Sequence, residues 1–146
     1  MSEDGALTLH ATAVAVDGQA VLLKGASGSG KSSLALEMMA RGATLVADDR
    51  VILTGAADSV VLTCPEPLCG LIEARGVGLL HARYLSPAKL CVVVDMDQIE
   101  TDRLPPDRTI TYHAQTFPLL HNVESQHFPA AILQYLRAEE IRRQSS

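Results

Sequence analysis

The sequence predicts an α/β fold: one domain over residues 1–146, in which a mixed β-sheet with flanking helices carries a P-loop. Three observations predict it. The stretch from Gly25 to Ser32 reads G-A-S-G-S-G-K-S and fits G-x-x-x-x-G-K-[ST]. An apolar run, Ala20 to Leu23, leads into it and a helical pattern, Leu34 to Arg41, follows, which is the strand–loop–helix context the motif needs. An Asp17-Gly18 dipeptide lies just upstream. It is a strong two-residue hairpin signal, so the strand feeding the loop has an antiparallel neighbour and strands outnumber helices.

The elements follow in order. Leu7 to Val16 reads as a strand and Gln19 to Lys24 as its return. With a two-residue loop at Asp17-Gly18, His10 falls opposite Gly25, beside the start of the P-loop. The P-loop helix ends at Gly42, a good residue to follow a helix. Thr44 to Ala47 is a short strand ending in Asp48-Asp49. Ligands of α/β sheets bind at the carboxyl ends of strands, so these acids are expected to face the nucleotide. Val51–Thr54 and Val60–Thr63 form a second hairpin, and Pro65-Glu66-Pro67 breaks the pattern. Leu71 to Leu80 mixes apolar positions with one acid, one base and two glycines. Leu90 to Val94 is a continuous apolar run, expected to be a buried strand. Asp102 to Arg108, with Pro105-Pro106, is a loop, and Thr109 to Phe117 a strand. Phe128 to Arg143 is a closing helix with Pro129 in its first turn.

Composition bounds the function. A chain of 146 residues buries about two-thirds of its unfolded surface. The core is aliphatic, with no Trp, two Phe and three Tyr. A net charge of −5 argues against a nucleic-acid or anionic-membrane partner. The acidic Met1 to Asp4 leads into no long apolar stretch and does not read as a signal peptide, and no apolar run is long enough to span a membrane. An odd set of cysteines, Cys64, Cys69 and Cys91, is expected to be free thiols of a cytoplasmic protein.

The candidate chemistry is phosphoryl transfer. The glycines let backbone N–H groups turn toward phosphate oxygens, and the helix N-terminus adds partial positive charge there. Lys31 reaches the β- and γ-phosphates of ATP, and the Ser32 hydroxyl ligates Mg²⁺. Asp48 and Asp49 are expected to differ in role, because successive side chains of an extended segment point to opposite faces. A solvated Asp-Asp-Arg turn is the alternative. Glu73 is the lone acid of an apolar stretch and needs a metal or a partner, for which Arg75 is available. Asp95 follows the Val92–Val94 run like a Walker-B acid and is a second candidate metal-side carboxylate. His121 and His127 lack a zinc spacing and read as a surface loop.

Together these residues resemble the HPr kinase/phosphorylase family. The resemblance rests on His10, the Gly25–Ser33 loop, Leu45-V-A-D-D-R-Val51 and Ile72-E-A-R-G-V-G-Leu79, with a weaker echo at Glu100-T-D-R-Leu104. It implies the HPr kinase/PEP carboxykinase-like fold and an ATP- and Mg²⁺-dependent protein-serine kinase acting on the phosphocarrier protein HPr. By that resemblance the nucleotide-binding set is Gly25, Ala26, Ser27, Gly28, Ser29, Gly30, Lys31, Ser32 and Ser33. The metal set is Ser32, Glu73 and Asp49, and the catalytic set is Asp48, Asp49, His10, Lys31 and Arg103. One of the two aspartates is the base for the serine hydroxyl, His10 supports it, and Arg103 stabilises charge. The sequence begins at the catalytic core, as in a truncated bacterial branch. Phe117 to Glu124 stands where longer members carry a proline- and arginine-rich loop linked to dephosphorylation, so weak phosphorolysis is expected. The short C-terminal part leaves a homo-oligomer open.

Two other readings compete. A small-molecule P-loop kinase needs an arginine-rich lid, which is not evident. A non-catalytic nucleotide sensor would use the acids for metal alone. A GTPase lacks its Asn-Lys-x-Asp motif here.

Overall fold

The computed structural model describes residues 5–145, so the acidic Met1 to Asp4 stretch lies outside the described residues. The chain opens with β1 (Leu7–Leu9), β2 (Ala11–Val16) and β3 (Gln19–Lys24), then α1 (Lys31–Ala40), β4 (Thr44–Ala47), β5 (Val51–Gly55) and β6 (Val60–Thr63). A 3₁₀ turn (Glu66–Leu68) precedes β7 (Leu71–Ala74) and β8 (Gly78–His81). The chain closes with β9 (Ala88–Ile99), β10 (Thr109–Tyr112), β11 (Gln115–Asn122) and α2 (Phe128–Ser145). Among the described residues strands outnumber helices, as the sequence predicts.

Nine strands make one mixed sheet. Its main path runs β1-β5-β6-β9-β3-β2-β4, with β11 on the free edge of β9 and β10 on β11. Strand β9 is long enough to pair with β3 along one edge and with β6 and then β11 along the other. The β3–β9 and β9–β11 pairs are parallel. Strand β2 is antiparallel to both β3 and β4. The carboxyl ends of β3 and β4 therefore lie together, on the side where β2 begins, and this positions the site.

The β2–β3 hairpin turns on Asp17 (φ 52°) and Gly18 (φ 79°). Two positive φ values match the right-handed twist of the strands and fix the register from Val16–Gln19 to Ala11–Lys24. Strand β3 is apolar from Ala20 to Leu23 because both its faces are covered there. Ala20 and Leu22 enter one core, and Val21 and Leu23 the other. The first core is built by the sheet folding over itself, where Ala11, Ala13 and Val46 meet Val51, Leu53 and Leu62. The second lies under the helices. Leu34, Ala35 and Met38 of α1 and Ile132, Leu133 and Leu136 of α2 repeat at helical spacing and bury that face. Burying Leu34 and Met38 contributes about 1.5–3 kcal/mol each.

Four expectations are corrected. The Leu7–Val16 strand breaks at His10, where the chain leaves β5 and joins β3. The single strand expected over Thr109–Phe117 is a hairpin turning at His113 (φ 50°) and Ala114 (φ 63°), and β11 runs on to Asn122. His121 is thus on a strand opposite Asp95, and only His127 lies in the loop before α2. Cys64 and Cys69 are not free thiols. The intervening 3₁₀ turn brings their Cα atoms to 5.3 Å, within disulfide reach, and they are bridged, whereas Cys91 is outside the bridge.

Candidate active site

The P-loop leaves β3 and wraps the N-terminus of α1. Three of its glycines, Gly25, Gly28 and Gly30, have positive φ, and two of them show why. Gly25 has φ 150°, and a Cβ there would meet Ser29 Oγ at 2.8 Å and Met96 Cβ at 3.0 Å. Gly30, the residue before the helix, is left-handed with φ 99°. Lys31 is 7% exposed, and its Nζ donates to the Gly25 and Ala26 carbonyls at 2.9 Å each, so the ammonium is folded into the loop. The Ala26 N–H donates to both carboxylate oxygens of Asp97 at 3.0 Å. Asp97 pins the loop from the end of β9, a role that no motif in the sequence signals. Ser29 Oγ is a buried polar atom without a hydrogen-bond partner among the described residues.

The adjacent aspartates are separated by burial. Asp48 is 5% exposed. Its Oδ1 accepts from Thr12 Oγ1 at 2.8 Å and from Ser32 Oγ at 2.6 Å, and its Oδ2 accepts from the Glu73 N–H at 3.0 Å. Three elements, β2, α1 and β7, are thus tied to one carboxylate. Asp49 turns outward, its side chain 55% exposed, in the left-handed region with φ 73°. Its Oδ1 is 2.8 Å from His10 Nε2 and its Oδ2 3.9 Å from Arg50 Nε. Aspartate tolerates this conformation better than most residues, but it remains strained, and such strain concentrates at functional sites. The two acids do diverge, through the turn at Asp49 rather than through strand alternation.

A cleft of about 140 Å³ joins these groups. His10, Lys31, Ser32, Asp48, Asp49 and Glu73 all line it, together with Ser27, Gly28, Gly30 and Ser33 of the loop. In β7, Ile72 and Ala74 are buried and Glu73 is exposed, so alternation aims its carboxylate toward the cleft. Among the described residues Glu73 makes no ion pair with Arg75. Arg75 lines the cleft instead, its guanidinium beside Gly28. Arg103 is not among the lining residues. It sits exposed in a loop whose order comes from Glu100, which accepts from Arg108 and from the Thr101 and Asp102 N–H groups. Those contacts, the Arg108 side chain first, hold the Glu100 carboxyl below the usual range. Asp95 is also outside the cleft, 3.5 Å from Lys24, its register partner.

The donor set fits Mg²⁺. Among the described residues no three His, Cys, Asp or Glu side chains form a closed metal cage. Mg²⁺ does not require one: it takes one or two carboxylates and completes its shell with phosphates and water. Ser32 Oγ, Asp48 and Glu73 are hard oxygen donors around one cleft.

Beside the acids lies a second cleft of about 390 Å³, with Leu68, Leu71 and Leu79 on its wall and Asp49 and Glu73 at its rim. The β7–β8 hairpin that forms it leaves Val77 75% and Leu79 63% exposed. Among the described residues no helix is long and apolar enough to cross a membrane.

Comparison with known proteins agrees with this fold. Residues 5–103 match the family described as HPr Serine kinase C-terminal domain. The chain is 47% identical over 79 residues to HPr kinase/phosphorylase of Xylella fastidiosa (strain M12). It is 47% identical over 78 residues to that of Xanthomonas campestris pv. campestris (strain B100). Each match covers 53% of this chain and 25% of the relative. The structure of the Hpr(Ser) kinase/phosphatase from Coxiella burnetii superposes with a TM-score of 0.78 at 21% identity, covering 94% of this chain and 99% of that one, and shares its fold. With the family match spanning most of the sequence, the chain belongs to the HPr serine kinase C-terminal domain family.

Proposed function

We propose that this domain transfers the γ-phosphoryl group of ATP, with Mg²⁺, to a serine of the phosphocarrier protein HPr. The observation that carries the reading is the division of labour between neighbouring acids. Asp48 is engaged with Ser32, and Asp49 is free to face an acceptor while held by His10. On this reading Asp48, rather than Asp49, is the metal-side acid, with Ser32 and Glu73. Mg²⁺, when bound, neutralises phosphate charge and aligns the β- and γ-oxygens.

The residues divide the transfer as follows. Loop amides and Lys31 hold the β- and γ-phosphates. Arg75, beside Gly28, supplies the positive charge expected of Arg103. The serine hydroxyl gives its proton to the Asp49 carboxylate as its oxygen bonds to phosphorus. The bond to the β-phosphate oxygen breaks, and that oxygen leaves with the electron pair as ADP. His10 Nε2, donating to Asp49 Oδ1, fixes the direction of the other carboxylate oxygen. A base so exposed suits an acceptor carried on a protein, and the apolar β7–β8 shelf beside it supports a protein acceptor over a small molecule. ATP as donor implies the cytoplasm as compartment.

Incubation with ATP, Mg²⁺ and HPr, followed by mass spectrometry of HPr, tests the proposal. Phosphoserine on HPr is the expected product. Unmodified HPr from a chain that binds ATP would favour the nucleotide-sensor reading.

A further inference from the structure

The P-loop is flanked by two very different clefts that share Gly30. The one holding the acids is small, about 140 Å³, and lined by charged and hydroxyl side chains and glycine. It has room for phosphates and metal but not for a base and a sugar. Sites for ligands of nucleoside size or larger run to roughly 300–1,000 Å³ and are mostly apolar. On the other side of Gly30 lies a cleft of about 530 Å³ between α1, the end of β9 and the 122–129 segment. Met96, Val123 and Phe128 give it apolar walls, and Asn122 and Gln126 give it amides. Glu37 and Arg41 pair at 2.7 Å, which leaves an acid, Glu124, as the remaining charged side chain of the lining. That lining suits an uncharged ring and a ribose better than a further phosphate.

In-line transfer fixes which side is which. The attacking and leaving oxygens stand on opposite sides of the transferred phosphorus. If Asp49 receives the acceptor's proton, the acceptor enters over Asp49 and the β7–β8 shelf. The rest of the nucleotide must then leave away from Asp49, past Gly30. Parallel pairing of β3, β9 and β11 brings the carboxyl ends of all three strands to this place.

We infer that the cleft between α1 and residues 122–129 is the nucleoside site, with Met96 and Val123 against the base and Asn122 and Gln126 supplying amide hydrogen bonds. The inference rests on the phosphoryl-transfer reading above. The 122–129 segment thereby gains a role: it selects the nucleotide, while the P-loop binds any polyphosphate.

The chain has no tryptophan, so a single introduced one reports locally. Gln126 and Leu79 are both exposed, and the fold tolerates change at either. The experiment compares Gln126→Trp and Leu79→Trp, titrated with MgADP and with magnesium tripolyphosphate, beside calorimetry on both variants and on the unaltered chain. The expected result is a saturable emission change of Gln126→Trp with MgADP at that variant's own calorimetric midpoint. Saturating tripolyphosphate leaves that emission unchanged, and Leu79→Trp does not respond to MgADP. A response at Leu79→Trp instead of Gln126→Trp would overturn the inference, as would equal responses of Gln126→Trp to both ligands. MgADP bound by Gln126→Trp in calorimetry with its emission silent would overturn it while leaving the P-loop reading intact. Calorimetry showing that neither ligand binds the unaltered chain would remove both.

Discussion

Replacing Asp48 by alanine should unfold the site from beneath, while replacing Asp49 by asparagine should leave the fold alone. Asp48 accepts three hydrogen bonds, from Thr12, Ser32 and the Glu73 N–H. Ser32 is half-buried and can turn its hydroxyl to solvent, but Thr12 is 0% exposed and the Glu73 N–H is fixed in β7. Two donors are then stranded, each costing about 1–3 kcal/mol. Relief of the carboxylate's own desolvation offsets part of this, leaving a net loss of about 2–4 kcal/mol. Total stabilities of domains run to about 5–15 kcal/mol. For a chain of this length the loss lowers Tm by roughly 5–15 °C. Asp49→Asn keeps a residue that tolerates the left-handed backbone and touches only an exposed contact with His10, so its cost stays below about 1 kcal/mol. Urea unfolding with linear extrapolation and thermal melts of both variants measure the difference. Equal destabilisation of the two would refute the claim that burial divides these acids.

Lys31→Ala should weaken MgATP binding by about tenfold or more, because its ammonium is the loop's own buried cation, and calorimetry reads the loss directly. Glu73→Gln should weaken ATP binding more with Mg²⁺ than without it, since the amide keeps shape but loses the charge a hard cation prefers; titrations in magnesium and in chelator separate the two. Glu100 has a carboxyl held below its ordinary value by Arg108 and two backbone N–H groups, so its contribution to stability is complete above pH about 4.5 and is lost as pH falls through the depressed folded value. The stability gap between the unaltered chain and Glu100→Gln should therefore close below that pH, as unfolding curves at stepped pH will record. Pyrophosphate release from serine-phosphorylated HPr should be weak at low-millimolar phosphate, because Pro118 to Phe128 carries no Arg or Lys to hold a second anion.

The parts of the site that were legible were those encoded locally. Asp17-Gly18 specifies a turn with two positive φ values, and that turn alone fixes the β2–β3 register that brings His10 next to the P-loop. The glycines, Lys31 and Ser32 sit within one short segment whose geometry is its sequence. That the two aspartates differ was legible, but which of them is buried was not, because the partners that bury Asp48 come from 36 and 25 residues away in the chain. The β10–β11 hairpin was hidden for a related reason: its positive φ values fall on His113 and Ala114, which carry no turn signal. Arg75 and Arg103 both follow an acid two or three residues on in the sequence, and only the placement of the β7–β8 turn beside the P-loop distinguishes them. Asp97 escaped notice because it binds through a carboxylate to a backbone amide, an interaction without a motif.

The central claim is that Asp49, held by His10, takes the proton from a serine of HPr. Asp49→Asn preserves the side-chain shape and tolerates the left-handed backbone, so it removes little besides the basic carboxylate. Quantitative mass spectrometry of phosphoserine on HPr should show transfer by the unaltered chain and a rate lower by about 10²–10⁴ in Asp49→Asn, with MgATP affinity within about twofold. Equal rates in the two proteins, or phosphate appearing on HPr at a residue other than serine, would contradict the account.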